Sequence, residues 1–365
     1  MKKMKHLLAV LMTLALALSL LAGCAGTPVS TGDAGTTAAP ETTAAPETTA
    51  APETEAPAAA MVKTGLYIGT DISGSKSATA EEDGQAKYDV TLVAVTVNDQ
   101  GVIESCVIDS IPATVKFSAA GAVTSDLTAD VPTKNEMGEA YGMKAYGGSK
   151  YEWNEQAAAL AKYAVGKTVD ELKNGAVDET GHAADADLAS TASIYLGGYV
   201  AGIEAAVNNA QHLGAQSGDK LVLATVNSLG SSKDATAEKA GTAQLDAYIT
   251  AVTMQGDVIS SCYIDSVQAK IAFDAAGTVT TDLTAPVQTK NELGENYGMK
   301  AYGGAKFEWN EQAAAFAAYV TGKTAAEVAG IAVNEKAAPA DADLAATVTI
   351  SIGDFQALIA KAAAQ

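Results

Sequence analysis

The first half of the chain after residue 60 begins with a β pattern. Residues 90–97 alternate around β-branched side chains, and 102–108 do so again after a polar break, which predicts a β-hairpin. Residues 114–117 and 123–124 flank a small, glycine-containing turn and predict a second hairpin. The β signal therefore comes before any helical signal in this part of the chain.

The hydrophobic pattern then changes to a helical period. Thr133 and Glu136 have capping-box spacing, and residues 151–165 place apolar side chains on one helical face. Gly166 is typical of a helix end, and a last helix is expected to run from Asp187 through Ile203. This order of elements predicts an α+β fold in which helices pack on an antiparallel sheet.

The same pattern occurs a second time at an offset of 156 residues. We place the two repeats at 64–208 and 220–364. The offset changes by one where residues 99–101 correspond to 256–257, as expected for a hairpin turn that tolerates a length change. Domain-sized repeats of this kind are expected to fold independently.

The identity between the repeats is concentrated in one block. Residues 133–159 and 289–315 are identical at 23 of 27 positions. The block is polar, glycine-rich and aromatic, a mixture that binding sites require more often than cores do. We therefore predict one binding loop per repeat. These loops contain Tyr141, Tyr146, Gly147, Gly148 and Trp153 in repeat one, and Tyr297, Tyr302, Gly303, Gly304 and Trp309 in repeat two. The alternative interpretation is a small core in which the rings pack beneath the helix.

The N-terminus carries an export pattern. Three early lysines precede an apolar run that ends in Leu21-Ala22-Gly23-Cys24, which resembles the lipobox of bacterial lipoproteins. We expect residues 1–23 to be a signal peptide and Cys24 to carry the lipid. Residues 24–60, rich in Thr, Ala, Pro and Glu, are expected to be a disordered linker. The resemblance implies a protein anchored on the outer face of the cytoplasmic membrane.

The charge balance excludes several classes of partner. The 23 basic residues are all lysine and include Lys2, Lys3 and Lys5, so a chain that starts at Cys24 has 20 lysines against 43 acidic residues and a net charge of −23. So acidic a surface argues against nucleic acid as a partner.

None of the recognised catalytic or metal-binding motifs is complete in this sequence. The Gly-Lys-Thr at residues 166–168 lacks the first glycine of a P-loop, and His182 has no counterpart in repeat two. Asp185 is interpreted as a helix cap in preference to a calcium ligand. We predict no metal site and no catalytic residue. Cys106 and Cys262 are interpreted as buried, with a disulfide between them as the alternative.

Three features of the repeats resemble the bacterial FMN-binding domain family, which includes duplicated lipoproteins that carry flavin outside the cell. Residues 95–105 look like the family's opening strands. Tyr141-Gly142-Met143-Lys144, followed by Trp153 and Gln156, is similar to a middle segment of its lipoprotein members. The third feature is the segment before the last helix of each repeat.

The family often ends in Asp-x-x-Ser-Gly-Ala-Thr, whose threonine carries FMN through a phosphoester. Here Thr349 and Ser193 stand at the acceptor position, close to a helix whose N-terminus would suit a phosphate. Thr347 and Thr191 stand where the family has the glycine that allows a phosphate to approach closely. We therefore expect reversible binding of FMN, or none, ahead of attachment at Thr349 alone and attachment at both positions.

The resemblance implies an electron carrier with one FMN site per repeat that exchanges electrons with a membrane redox donor. Two other hypotheses stay open. One is a non-catalytic surface module whose aromatic loops bind a small molecule or a cell-wall polymer. The other is an interaction protein on a spacer without a small ligand. In each case we expect a monomer.

Overall fold

A computed structural model describes residues 59–365. The predicted lipidation site Cys24, the signal segment and the linker up to residue 58 lie outside the described residues. Within these residues the predicted fold class is confirmed, since helices accompany antiparallel sheets.

Each repeat forms one three-stranded antiparallel sheet whose strands lie side by side in chain order. The strands of repeat one are β1 (Lys63–Asp71), β2 (Gly84–Val97) and β3 (Ile103–Phe117), and those of repeat two are β4 (Lys220–Ser228), β5 (Gly241–Gln255) and β6 (Val258–Phe273).

The predicted hairpin is confirmed as the pair β2–β3, and its turn ends at Gly101, whose φ of 79° favours glycine. The second predicted hairpin is also present, because the N–H of Thr124 donates to the carbonyl of Lys116 and Phe117 forms an antiparallel bridge with Val123. Its first arm, residues 114–117, is not a separate strand. These residues continue β3 through Pro112, which the sheet accepts because β3 is an edge strand. Strand β1, which the sequence pattern does not predict, pairs with the other side of β2.

Each repeat has two longer helices, with short helices before and between them. Those of repeat one are α1 (Lys134–Met137), α2 (Trp153–Ala164), α3 (Val169–Gly175), α4 (Ala186–Thr191) and α5 (Gly197–Asn208). Those of repeat two are α6 (Lys290–Leu293), α7 (Met299–Gly303), α8 (Trp309–Val320), α9 (Ala325–Ala329), α10 (Ala342–Ala345) and α11 (Gly353–Ala363).

The single helix expected after Asp187 is instead two helices, α4 and α5. Asp185 caps α4 by accepting hydrogen bonds from the N–H groups of Asp187 and Leu188, which confirms its interpretation as a cap. The chain then leaves the helix at Ala192 in an extended conformation and re-enters it at Gly197. The break separates Ser193 from the start of the last helix.

The two faces of each sheet pack against different partners. In β2, Val93 and Val95 face the helices of the same repeat, whereas Tyr88, Val90 and Leu92 belong to a core shared with the other repeat. Each repeat contributes 12 buried side chains to this shared core. The shared core argues against independent folding of each repeat, a prediction that expression of single repeats tests.

Several contacts between the repeats are reciprocal, whereas others, such as the hydrogen bond between the Thr64 and Ser261 hydroxyl groups, have no counterpart. The Phe117 and Phe273 rings stack with centroids 4.1 Å apart. The N–H of Ala78 donates to the carbonyl of Gly277 at 2.8 Å, and the N–H of Ala235, the counterpart of Ala78, donates to the carbonyl of Gly121 at 2.7 Å. Such a pattern is that of an isologous interface, here formed within one chain.

Cys106 and Cys262 are both free thiols, so the alternative of a disulfide is wrong. Burial raises the pKa of the Cys262 thiol to about 12, as expected for a packed and unreactive cysteine. None of the helices in residues 59–365 combines the length and apolar composition that crossing a bilayer requires.

Candidate functional site

A cavity of about 430 Å³ opens in repeat one between the sheet, α2 and the segment that leads into α5. Its wall consists of Thr91, Lys134, Tyr141, Met143, Trp153, Ile194, Tyr195, Gly198 and Tyr199. Four of these nine residues are aromatic and one carries a positive charge. The volume and this lining are typical of a small-molecule site.

Lys134 is the charged group of this cavity. Its ammonium lies 5.1 Å from the centre of the Tyr141 ring and 5.0 Å from that of Trp153, in cation–π geometry. The residue is only 8 % exposed. No carboxylate oxygen of the described chain lies within 4.0 Å of it, since none of the ion pairs includes it. A buried ammonium without an ion-pair partner favours an anionic ligand.

Lys134 is positioned by a rigid turn. Thr133 and Glu136 form the capping box that the sequence predicts, each bonding to the backbone N–H of the other. The buried carboxylate of Asp109 accepts a hydrogen bond from the N–H of Asn135 at 3.0 Å and so fixes this turn to β3. Lys134, the first residue of α1, is therefore held at a defined position beside β3.

The far wall is held by an aromatic pair and by one buried amide. The indole N–H of Trp153 donates to the Tyr199 hydroxyl at 3.2 Å, and the two rings meet edge to face. The carbonyl of Gln156, which is fully buried, accepts hydrogen bonds from the N–H groups of Ser193 at 2.7 Å and Ile194 at 3.1 Å. Gln156 thus fastens the segment 193–199 to α2.

In repeat two a tyrosine occupies the space that lies open in repeat one. Tyr248 takes the place of Thr91, and the register agrees, because Thr91 pairs with Ser110 and Tyr248 with Ser266. The Tyr248 ring lies 6.4 Å from that of Trp309 and 6.1 Å from that of Phe355, the counterpart of Tyr199. Repeat two therefore holds a filled version of the site.

The electrostatics of the two versions also differ. Burial lowers the pKa of Lys290, the counterpart of Lys134, to about 8, and the charges of Asp246, Asp265 and Asp354 oppose this shift. The position of Asp354 is Gly198 in repeat one. Lys87, which pairs with Asp89 at 2.8 Å, is replaced by Gln244 in repeat two. Both differences make the open site more positive than the filled one. Lys270, which also acts on Lys290 and stands at the position of Thr114, acts in the opposite direction, so the three differences together leave the open site more positive by one charge.

Internal bonding explains much of the identical block. The buried Glu152 carboxylate accepts hydrogen bonds from the N–H groups of Met143 at 2.8 Å and Lys144 at 3.2 Å. Gly142 has a φ of 83°, and a Cβ there would lie 2.6 Å from the ring of Tyr146. Glu308 and Gly298 repeat these features in the second repeat.

The predicted loop residues therefore divide into two groups. Tyr141 and Trp153 line the open cavity, while Tyr297 and Trp309 surround the buried Lys290. The others are exposed and do not line this cavity: Tyr146, Gly147, Gly148, Tyr302, Gly303 and Gly304. The five predicted residues of each repeat therefore do not form a single binding loop.

Ser193 and Thr349 lie beside these sites but not at a helix N-terminus, which corrects the sequence expectation. Ser193 precedes the first residue of α5 by four positions, and Thr349 precedes that of α11 by four. Both residues donate their N–H and hydroxyl groups to the carbonyl of the buried glutamine, Gln156 or Gln312. Their N–H groups are therefore already hydrogen-bonded within the chain and are not free to bind a phosphate.

A buried carboxylate gives one testable effect of pH. Burial raises the pKa of Asp265, the counterpart of Asp109, from 3.8 to about 6. Between these values the folded chain binds a proton that the unfolded chain has released. The free energy of unfolding contributed by this group therefore falls as the pH rises through this window, by up to about 3 kcal/mol.

Urea unfolding of Asp265→Asn and of the parent chain at several pH values measures this effect on the free energy of unfolding. Asparagine keeps an oxygen that can accept from the Ser266 and Asn291 N–H groups. The stability of the variant relative to the parent should rise between about pH 4 and pH 6. A difference that stays constant over this range would contradict the shifted pKa.

Sequence reasoning misses several residues of the cavity. It treats the Thr133–Glu136 turn only as a helix cap and so overlooks Lys134. The comparison of the repeats contains the missing signal, because Thr91 and Tyr248 differ greatly in size at equivalent positions. That signal becomes interpretable only when both positions are known to face the same aromatic residues.

Among residues 59–365, no three His, Cys, Asp or Glu side chains are grouped closely enough to hold a metal ion. Comparison of the chain with protein-family models, with curated proteins and with solved structures finds no match.

Proposed function

We propose that this chain is an extracytoplasmic binding protein whose repeat one takes a planar aromatic ligand with a negative charge. One observation carries the proposal: the aromatic cavity around Lys134 is open in repeat one and filled by Tyr248 in repeat two. The two repeats share most of the residues around this cavity. Because repeat one keeps the cavity open, the cavity itself is the part that would bind a ligand. Repeat two then serves mainly as the structural partner of repeat one.

The chemistry of the cavity supports this ligand class. The faces of Tyr141 and Trp153 offer stacking surfaces, and Lys134 lies against both rings. Thr91 and Tyr199 add hydroxyl groups, whereas their counterparts in repeat two are the filling ring of Tyr248 and the hydroxyl-free Phe355. A bound anion would supply the counter-charge that Lys134 lacks.

FMN is the ligand that the family resemblance indicates, and the cavity residues fit its ring and its charge. They fit a phosphoester at Ser193 less well, because its N–H and hydroxyl already bond to Gln156. We therefore propose reversible FMN binding in repeat one. A flavin there would supply one- or two-electron chemistry, and the chain would hold and orient it.

The remaining parts of this proposal concern location and origin. A lipid on Cys24 would hold the chain at the outer face of the cytoplasmic membrane, where a membrane redox donor could reduce the flavin. The two tandem repeats would descend from one domain. The reciprocal contacts between them support descent from a symmetric pair.

The expected result of Thr91→Tyr is loss of FMN binding by about a hundredfold or more, because the new ring fills the cavity as Tyr248 does in repeat two. Thr91→Ser is the matched control and should bind FMN like the parent. The measurement is calorimetric titration of the purified chain with FMN. An intact mass after denaturation identifies any covalent flavin.

Lys134→Met tests the charge at the same site. The variant should bind FMN about tenfold more weakly, while its affinity for uncharged lumiflavin should change less. No FMN binding by the parent chain, or unchanged binding by Thr91→Tyr, would exclude the cavity as a flavin site.

A further inference from the structure

Two tyrosine rings stand out on the surface because they are almost completely exposed. Tyr146 is 92 % and Tyr302 is 90 % exposed, and neither lines the cavity of repeat one. They occupy equivalent positions in the two repeats. Core packing therefore does not explain why both copies keep an aromatic side chain there.

The backbone at both rings is held by hydrogen bonds, in a turn at Tyr146 and in helix α7 at Tyr302. The Tyr146 N–H donates to the carbonyl of Gly142 at 2.9 Å, and the same bond joins Tyr302 to Gly298. Only glycine leaves room at these two positions, since a Cβ would lie 2.6 or 2.5 Å from the tyrosine ring. Because the backbone is hydrogen-bonded at both positions, little backbone conformational entropy is lost when a ligand stacks on the ring.

The surroundings of each ring are polar and do not form an apolar patch. The concave surface that Tyr302 lines also contains Glu295, Asn296, Lys300, Ala301 and Glu308. The Lys300 ammonium lies 3.8 Å from Glu295 and 3.2 Å from Glu311. Lys144 makes the equivalent contacts in repeat one.

A flat exposed ring surrounded by hydrogen-bonding groups matches a sugar better than a protein surface. The negative face of an aromatic ring attracts the C–H bonds on one face of a pyranose, and the hydroxyl groups at the sugar's edge can bond to carboxylate, amide and ammonium groups. Protein interfaces have a larger apolar centre. The other large exposed hydrophobic side chains of residues 59–365 are Met61, Val165, Tyr195 and Val333. None of them lies in the segments 142–148 and 298–304 that carry the two tyrosines.

We propose that Tyr146 and Tyr302 are stacking platforms for the sugar rings of a polysaccharide. The ligand class is a neutral or amide-bearing glycan, since the chain's net charge of −20 disfavours strongly anionic polymers. Two platforms on one chain can bind two segments of the same insoluble polymer, which raises the overall affinity above that of either site. This activity is separate from ligand binding in the cavity.

Cosedimentation with insoluble polysaccharide tests the proposal, with purified peptidoglycan, chitin and cellulose as probes. The parent chain should cosediment with at least one of them. Tyr146→Ala and Tyr302→Ala should each weaken binding, and the double variant should bind at least about tenfold more weakly. Because both rings are exposed, we expect the variants to keep their unfolding midpoints.

Matched variants separate stacking from other causes. Replacement of both tyrosines by phenylalanine keeps the flat rings and should hold binding within about threefold. Thr91→Tyr, which closes the cavity, should bind polysaccharide like the parent, so failure of the flavin proposal and failure of this one are distinguishable. The proposal is overturned if the parent binds none of the polymers, as expected if the rings contact a protein, or if the double alanine variant binds as well as the parent.

Discussion

Residues 59–218 expressed alone are expected not to give a monomer that unfolds cooperatively. Separation from repeat two exposes 12 side chains of the shared core, among them Tyr88, Leu92 and Phe117, which are fully buried in the whole chain. Burial of one large apolar side chain contributes about 1.5–3 kcal/mol. Exposing the whole set costs more than the roughly 5–15 kcal/mol by which a typical domain is stable.

Specific bonds across the interface are lost as well. The Tyr88 hydroxyl donates to the carbonyl of Ala243 at 2.8 Å, and this buried group would lose its partner in the fragment. We expect the fragment to aggregate, to dimerise through the exposed sheet or to form a molten state. Mixing it with residues 219–365 should restore a one-to-one complex with the far-UV and near-UV circular dichroism of the whole chain.

Sedimentation and urea unfolding of each fragment check this expectation. The boundary at residue 218 keeps the segment that pairs with β1, in which the N–H of Val62 donates to the carbonyl of Ala215. A monomeric fragment with a sigmoidal unfolding curve would show that the core between sheet and helices suffices for one repeat. The shared core would then hold the two repeats together without being required for either repeat to fold.

Gln156→Leu is expected to lower the free energy of unfolding by about 3–5 kcal/mol. The side chain is fully buried, and its amide donates to the carbonyl of Tyr151 at 3.0 Å while its carbonyl accepts from Ser193 and Ile194. Leucine has a similar size but leaves these backbone groups without partners. Urea unfolding at constant pH measures the loss.

The same substitution should also weaken FMN binding at least tenfold, because Ile194 and Tyr195 form part of the cavity wall. Gln312→Leu is the matched control, since Gln312 makes the same bonds to Thr349 and Ile350 in repeat two. It should cost comparable stability and leave FMN binding nearly unchanged. If both variants lost binding equally, the cavity of repeat one would not be the site.

Much of the local structure could be predicted from the sequence. The capping box at Thr133, the helix end at Gly166 and the hairpin β2–β3 are all present. Each depends on interactions between residues a few positions apart, and such interactions leave their signature in consecutive letters. The break between α4 and α5 does not, because it depends on Gln156, which lies 37 residues from Ser193.

The candidate site was predictable only in part. The identical block contains Tyr141 and Trp153, which line the cavity, but it also contains residues whose identity serves the local backbone, such as Glu152 and Gly142. A sequence shows which residues are kept in both copies without showing whether a side chain faces a cavity, a backbone N–H or solvent. Exposure separates Tyr146 from Tyr141, although they lie five positions apart.

The sequence by itself determined the repeat, the α+β class, the caps and turns, and the acidic, arginine-free surface. The tertiary structure decided that both sheets share one core, that Tyr248 fills the space left open beside Thr91, and that Lys134 lies among aromatic rings. The physical reason is the range of the interactions. An alternating strand indicates that it has a buried face, but the partner of that face is chosen by shape and contacts between residues far apart in the chain.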